Sequence, residues 1–277
     1  MFSLSALFRR FKWRISLTVV LVLLESVLEI LYPLCIGLAI NSLLDGGHQG
    51  LLLLAGLGVA STVVGSLRRF YDTRIYSGIY RSIAPEMVAR ERERHNSVSQ
   101  ISARAGLLTE FVEFLENSLP ELIAALVSLV GVLVIVAALN TDVFFACLAV
   151  LLVAALTYVL TGRLNFRLNA GYNNELERQV WSLERGDAAL VQDHFKRLMR
   201  WNIRLSDLET ANYFVIFLAI VALFVYAPFS AVDSGVTDYG LVFSLLMYVF
   251  SYIESVANLP LFVQQLIRLK EISVRLN

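Results

Sequence analysis

Glu25 and Glu29 stand four residues apart in a stretch otherwise rich in Leu, Val and Ile, so on a helix they share one face. Glu254 lies in a second apolar stretch, where Ser244, Ser251, Asn258 and Gln265 recur every seventh residue. A recurrence of seven keeps these polar groups on one side of a helix. An ionised carboxylate in the hydrocarbon of a bilayer costs at least a few kcal/mol. Such a group finds an ion-pair partner, binds a cation, or exchanges a proton. Arg68, Arg69 and Arg268 are the candidate ion-pair partners. The polar stripe reads either as the lining of a water-filled cavity or as bridges between packed helices. Pro33, four residues beyond Glu29, removes the donor to the Glu29 carbonyl and predicts a kink there. Glu25, Glu29, Glu254, Ser244, Ser251 and Asn258 are therefore the candidates for a translocation pathway or for protonation.

Other chemistry is poorly represented. Cys35 and Cys147 lie inside apolar stretches and read as small packing residues. His48, His95 and His194 are far apart, no Cys/His spacing suits zinc, and no nucleophile–base pair stands out, so no metal or cofactor is expected. The sequence holds no G-x-x-x-x-G-K-[ST] phosphate loop and no Gly-Lys pair. The chain is expected not to hydrolyse ATP by itself.

The elements that carry these residues follow from composition. Of 277 residues, 57% are hydrophobic and 17% charged, with a mean hydropathy of +0.68. Soluble domains run at about 45–50% apolar and about 25% charged. The difference excludes a disordered chain, a nucleic-acid-binding domain and an ordinary cytosolic enzyme. Apolar runs at 15–44, 51–67, 119–139, 143–160, 213–228 and 241–263 predict six transmembrane helices, since about 20 residues cross a bilayer. All 23 Lys and Arg residues fall in the N-terminal segment, in the connections after the second and fourth runs, or at the C-terminus. By the positive-inside rule both termini and both long connections are cytoplasmic. Residues 1–14, basic and apolar by turns, predict a short interfacial helix. The connections at 68–118 and 161–212 keep helical periodicity and predict cytoplasmic extensions of the spans. Their breaks are expected near 96–106 and at 185–187, with Asp187 and either Ser97 or Ser99 as N-caps.

This layout resembles the transmembrane domain of ATP-binding-cassette exporters. Tyr32-Pro33-Leu34-Cys35-Ile36-Gly37 and Asn41-Ser42-Leu43-Leu44-Asp45-Gly46 look like the end of that family's first span. The stretch from Ser99 through Arg104 to Thr109-Glu110-Phe111 is similar to its first intracellular loop, and 269–275 to the exit from its last span. The resemblance implies an all-α membrane protein that forms a domain-swapped homodimer, the fourth and fifth helices crossing to the partner. It also implies that the first and sixth spans line the pathway. The turns around Asn96, Ser99 and Gly106, and around Arg185, Gly186 and Asp187, would be coupling helices touching nucleotide-binding domains. The expected function is a permease in a bacterial inner membrane that moves an organic solute or peptide by alternating access. A separately encoded ATPase or the proton gradient would supply the energy. The alternative is a non-transporting, degenerate exporter domain that serves as a membrane partner or regulator.

Overall fold

The structure is a computed structural model that describes residues 4–94, 97–184, 187–233 and 238–276. Eight α-helices run in the order α1 (Leu4–Leu44), α2 (Gln49–Glu93), α3 (Val98–Glu113), α4 (Leu119–Leu139), α5 (Thr141–Glu177), α6 (Gln179–Glu184), α7 (Ala188–Asp233) and α8 (Tyr239–Leu276). A π turn at Phe114–Ser118 joins α3 to α4, and the described residues contain no strand. Six helical stretches are long and apolar enough to cross a membrane: Arg9–Leu44, Gln49–Glu93, Val98–Leu139, Thr141–Glu184, Ala188–Asp233 and Tyr239–Ile267. Leu52, Val59, Leu67, Val130, Val134, Val159, Phe214 and Val225 are among the many large apolar side chains left exposed. A water-soluble fold does not present so continuous an apolar surface, whereas lipid covers it without cost.

The chain divides into two compact units, 142–230 and the remainder. In the larger unit α1 packs on α2, α4 and α8, while α8 also packs on α4. The C-terminal half of α2 offers Tyr76, Ile79, Ile83 and Met87, spaced three and four apart, as one face. Leu108, Phe111 and Val112 of α3, Phe114 and Leu115 of the π turn, and Leu122 of α4 close over it to form a buried core. The smaller unit holds most of α5, all of α6 and most of α7. Within it His194, completely buried, faces Glu175 with Nδ1 3.0 Å from the carboxylate, and Arg197 donates to the same carboxylate at 3.2 Å.

The helix ends have local causes. α1 stops at Gly46, whose φ of +75° is open to glycine and strained for other residues. α3 starts at a capping box in which Ser97 Oγ accepts from the Gln100 amide and the Gln100 side chain accepts from the Ser97 amide. Ser97, and not Ser99, is the cap. Asp187 accepts from the Ala189 amide at 3.0 Å and opens α7. The described break between α2 and α3 is narrower than the one expected near 96–106, because Gly106 lies inside α3 with open space around it. Asn96, Arg185 and Gly186 lie outside the described residues.

α1 is helical on both sides of Pro33, and its only residue with non-helical φ/ψ is Phe11 (φ −114°, ψ 16°), near the end of the segment expected to lie at the interface. Two donors from α8 meet the stretch around Pro33: Tyr248 Oη donates to the Ile30 carbonyl and Ser244 Oγ to the Pro33 carbonyl, each at 2.8 Å. Hydrogen bonds from a neighbouring helix let a membrane helix carry proline without breaking.

Candidate translocation cavity

Two adjoining cavities lie among α1, α2, α4, α8 and the π turn. The first, about 510 Å³, is lined by Glu25, Ser26 and Glu29 of α1, Arg68, Arg69 and Asp72 of α2, and Glu116, Asn117 and Glu121 on the third strip of chain. The second, about 300 Å³, is lined by Ser26, Glu29 and Pro33 of α1, Ala125 and Ser128 of α4, and Ser251, Glu254, Ser255 and Asn258 of α8. Ser26, Glu29 and Ala124 border both.

Backbone periodicity aims these groups. Val22, Glu25, Ser26, Glu29, Ile30 and Pro33 fall three or four apart, along one face of α1. Ser251, Glu254, Ser255 and Asn258 do the same on α8. The third wall depends on the π turn. Pro120 has no amide hydrogen to give the Glu116 carbonyl, and the chain ahead of it takes the wider winding, with Leu119 N bonding the Phe114 carbonyl. Glu116 and Asn117 belong to that wide turn, and both face the first cavity.

The charges are unevenly matched. Five carboxylates and two guanidinium groups line the first cavity, a formal surplus of three negative charges. Arg68 joins two helices: its Nε donates to Glu25, and another guanidinium nitrogen lies 3.1 Å from Asp72. Thr18 Oγ1 donates to the other Asp72 oxygen at 2.7 Å, so Asp72 is buried at 2% exposure with both oxygens bonded. Glu29 and Glu254, by contrast, are exposed and make no ion pair or hydrogen bond among the described residues. Water in an open cavity solvates them; a closed and dry cavity would not.

The structure thus brings Glu29, Ser251, Glu254 and Asn258 to one cavity and Glu25 to its neighbour. Ser244 differs. It is 1% exposed and donates to the Pro33 and Gly240 carbonyls (2.8 and 2.9 Å), so its place is inside the α1–α8 contact and not on a pathway. The reason is a close approach between Gly37 and Gly240, where a Cβ on either would collide with the facing backbone. Asn41 adds to the contact by donating to Asp238 (2.6 Å) and accepting from Gly240 N (2.9 Å). Of the arginines considered as partners, Arg68 pairs with Glu25 and Arg69 lines the same cavity. Asp72 escaped sequence reasoning, and Glu116 and Glu121, at the start of the third apolar run, read from sequence as interfacial acids and not as cavity lining. For Asp72 a signal existed, its i,i+4 spacing from Arg68. Of the expected coupling positions, Ser99 and Gly106 lie on α3 and Asp187 caps α7.

The family model described as the ABC transporter transmembrane region matches residues 4–237, which takes in α1 to α7. Comparison with curated proteins finds no match.

Proposed function

Since the chain belongs to the family of ABC transporter transmembrane regions and is a transporter membrane subunit, we propose that it is a permease whose solute path runs through the paired cavities. The observation that carries this reading is the convergence of Glu29 and Glu254, from the first and last spans, on one polar-lined space in an apolar helix bundle. The solute is an organic molecule or peptide, and the cavities open to alternate sides of a bacterial inner membrane, with both termini cytoplasmic. Hydrolysis belongs to a nucleotide-binding domain, because these 277 residues contain no phosphate loop. The turns at Ser97–Ser99 and Asp187 are where that domain would be contacted. The working assembly is a homodimer in which the fourth and fifth spans of each protomer cross to the other, a reading supported by membership of the family.

A second energy source has its own supporting observation. Glu29 and Glu254 make no ion pair among the described residues, and Glu29 also borders the first cavity, where Arg68 is already paired with Glu25 and Asp72. Carboxylates so placed exchange protons when a cavity alternates between wet and dry. Purification from the native membrane separates the cases. Co-purifying ATPase activity with nucleotide-dependent uptake supports the first source. Glu29→Gln and Glu254→Gln variants that lose pH-dependent uptake in proteoliposomes, without any ATPase present, support the second. A dimer that moves no member of a solute and peptide panel under either condition overturns the permease reading and leaves the non-transporting alternative.

A further inference from the structure

The segment from Arg9 to Arg14 carries Arg9, Arg10, Lys12 and Arg14 around Phe11 and Trp13. Arg10 is fully engaged with α2, donating twice to the Glu86 carboxylate at 3.0 Å and once to Ser82 at 3.4 Å. The other three are exposed and make no ion pair among the described residues. Trp13 is 80% exposed, with Lys12 Nζ 5.6 Å from its ring centroid. The segment is also tied to α2 at its end, where Tyr71 Oη donates to the Arg14 carbonyl at 3.4 Å. Tyr71 follows directly on the end of α2's apolar run at Leu67 and the pair Arg68–Arg69. On that same turn of α2, Arg74 stacks 3.1 Å over the exposed ring of Phe70.

From Trp13 an apolar stripe continues outward along α1: Leu17, Val20, Leu24 and Val27, spaced three or four apart and all exposed. Such a stripe faces acyl chains, and it ends in an aromatic ring of the kind that settles at headgroup depth. Lys12 lies against that ring, Arg14 sits 6.0 Å from the centroid of Phe11, and Arg9 is exposed four residues before Trp13, so the three cations flank the ring along the chain. A face made to meet an acidic protein would carry the charge without the lipid-facing stripe leading into it.

We propose that Arg9, Lys12 and Arg14, which flank Trp13 along the chain, form a docking surface for the anionic phospholipid headgroups of the cytoplasmic leaflet. Arg10 and its bond to Glu86 fix the surface to α2, and the break at Phe11 lets the segment before it change direction along the membrane. Each cation at an anionic leaflet contributes about a fivefold preference. The surface therefore enriches acidic lipid around α1 whatever solute the protein moves.

The test uses the full chain carrying Trp181→Phe and Trp201→Phe, which leaves Trp13 as the sole tryptophan. It is reconstituted into bilayers of phosphatidylcholine and phosphatidylglycerol, brominated on one lipid or the other at equal total bromine. The expected result is quenching of Trp13 that reports at least about a fivefold local enrichment of phosphatidylglycerol. That enrichment should fall in 1 M salt, where the screening length is about 3 Å. It should also fall in the combined Arg9→Gln, Lys12→Gln, Arg14→Gln variant. Equal quenching by the two lipids overturns the proposal, as does a preference unchanged by salt or by the triple variant. Should the triple variant fail to insert, the salt titration of the tryptophan-substituted chain decides alone.

Discussion

Arg68 bridges Glu25 on the neighbouring helix and Asp72 on its own, and Asp72 has almost no access to water. Removing the guanidinium leaves two carboxylates facing each other at a contact between α1 and α2. A fully buried pair broken in this way costs about 3–5 kcal/mol. Here the cavity hydrates part of the site, so Arg68→Ala is expected to destabilise the protein by about 1–3 kcal/mol. Thermal unfolding in detergent measures it, and adding Glu25→Gln should restore part of the loss. An unchanged midpoint in Arg68→Ala would show that the network contributes nothing. The cavity lining makes a second prediction. With Cys35 and Cys147 replaced by Ala, Ser251→Cys and Asn258→Cys should react with a membrane-impermeant thiol reagent, while Ser244→Cys should stay protected. Equal labelling at 244 and 251 would contradict the placement of Ser244. Part of this site was legible beforehand: Glu25 and Glu29 on α1, and Ser251, Glu254 and Asn258 on α8, each follow a helical period, and period alone predicts a shared face on each helix. Ser244 obeys the same period, yet it is sealed by the close approach of Gly37 to Gly240, a contact between helices that no single-helix pattern encodes.

At the scale of elements, the α1–α8 contact depends on two glycines rather than on large side chains. Small residues let membrane helices approach until van der Waals packing and hydrogen bonds across them become effective. Gly37→Ala places a methyl against Ser244 and the Gly240 backbone. Alanine gains about 1 kcal/mol in helix propensity, but the overpacking costs about 1–3 kcal/mol, and net destabilisation is expected. Gly56→Ala is the matched control. Nothing lies within 4 Å of its new methyl, so it should leave stability unchanged or raise it by up to about 1 kcal/mol. Paired unfolding curves for the two variants check the argument, and equal midpoints would contradict it. The six apolar helices themselves were readable from composition, because lipid demands long uninterrupted runs. The donors that meet α1 around Pro33 were not readable, since Ser244 and Tyr248 lie more than 200 residues away in sequence.

Across the whole molecule, two units with different neighbours share one apolar chain. Within unit 142–230 the completely buried His194 and the carboxylate of Glu175 form a polar core, while Phe145, Leu152, Val159, Phe214, Leu218 and Val225 remain exposed for lipid or a second protomer to cover. Sequence patterning identifies such helices readily but not their partners, because an apolar side chain facing lipid reads the same as one facing a protein. The acids Glu116 and Glu121 were obscured for a related reason. They sit where an apolar run begins, a position equally natural for an interface, and the turn that aims Glu116 departs from the 3.6-residue period.

That wide turn also concerns numbering along the chain. A π turn takes up one residue more than ordinary winding requires, so the Phe114–Ser118 segment contains a spare position, accommodated without turning either flanking helix out of phase. Shortening the chain there by deleting Asn117, with Pro120→Ala to restore the missing donor, should give a folded protein in which α3 and α4 keep their present faces. Deleting Val134 instead, inside regular winding, would rotate everything beyond it by about 100° relative to its neighbours and should abolish folding. Size-exclusion profiles and helical content of the two deletions test this directly, and equal damage from both would show that the register is not held in reserve at that turn. The expected outcome places a tolerated change of length at one point along this wall of the first cavity, the point that carries Glu116 and Asn117.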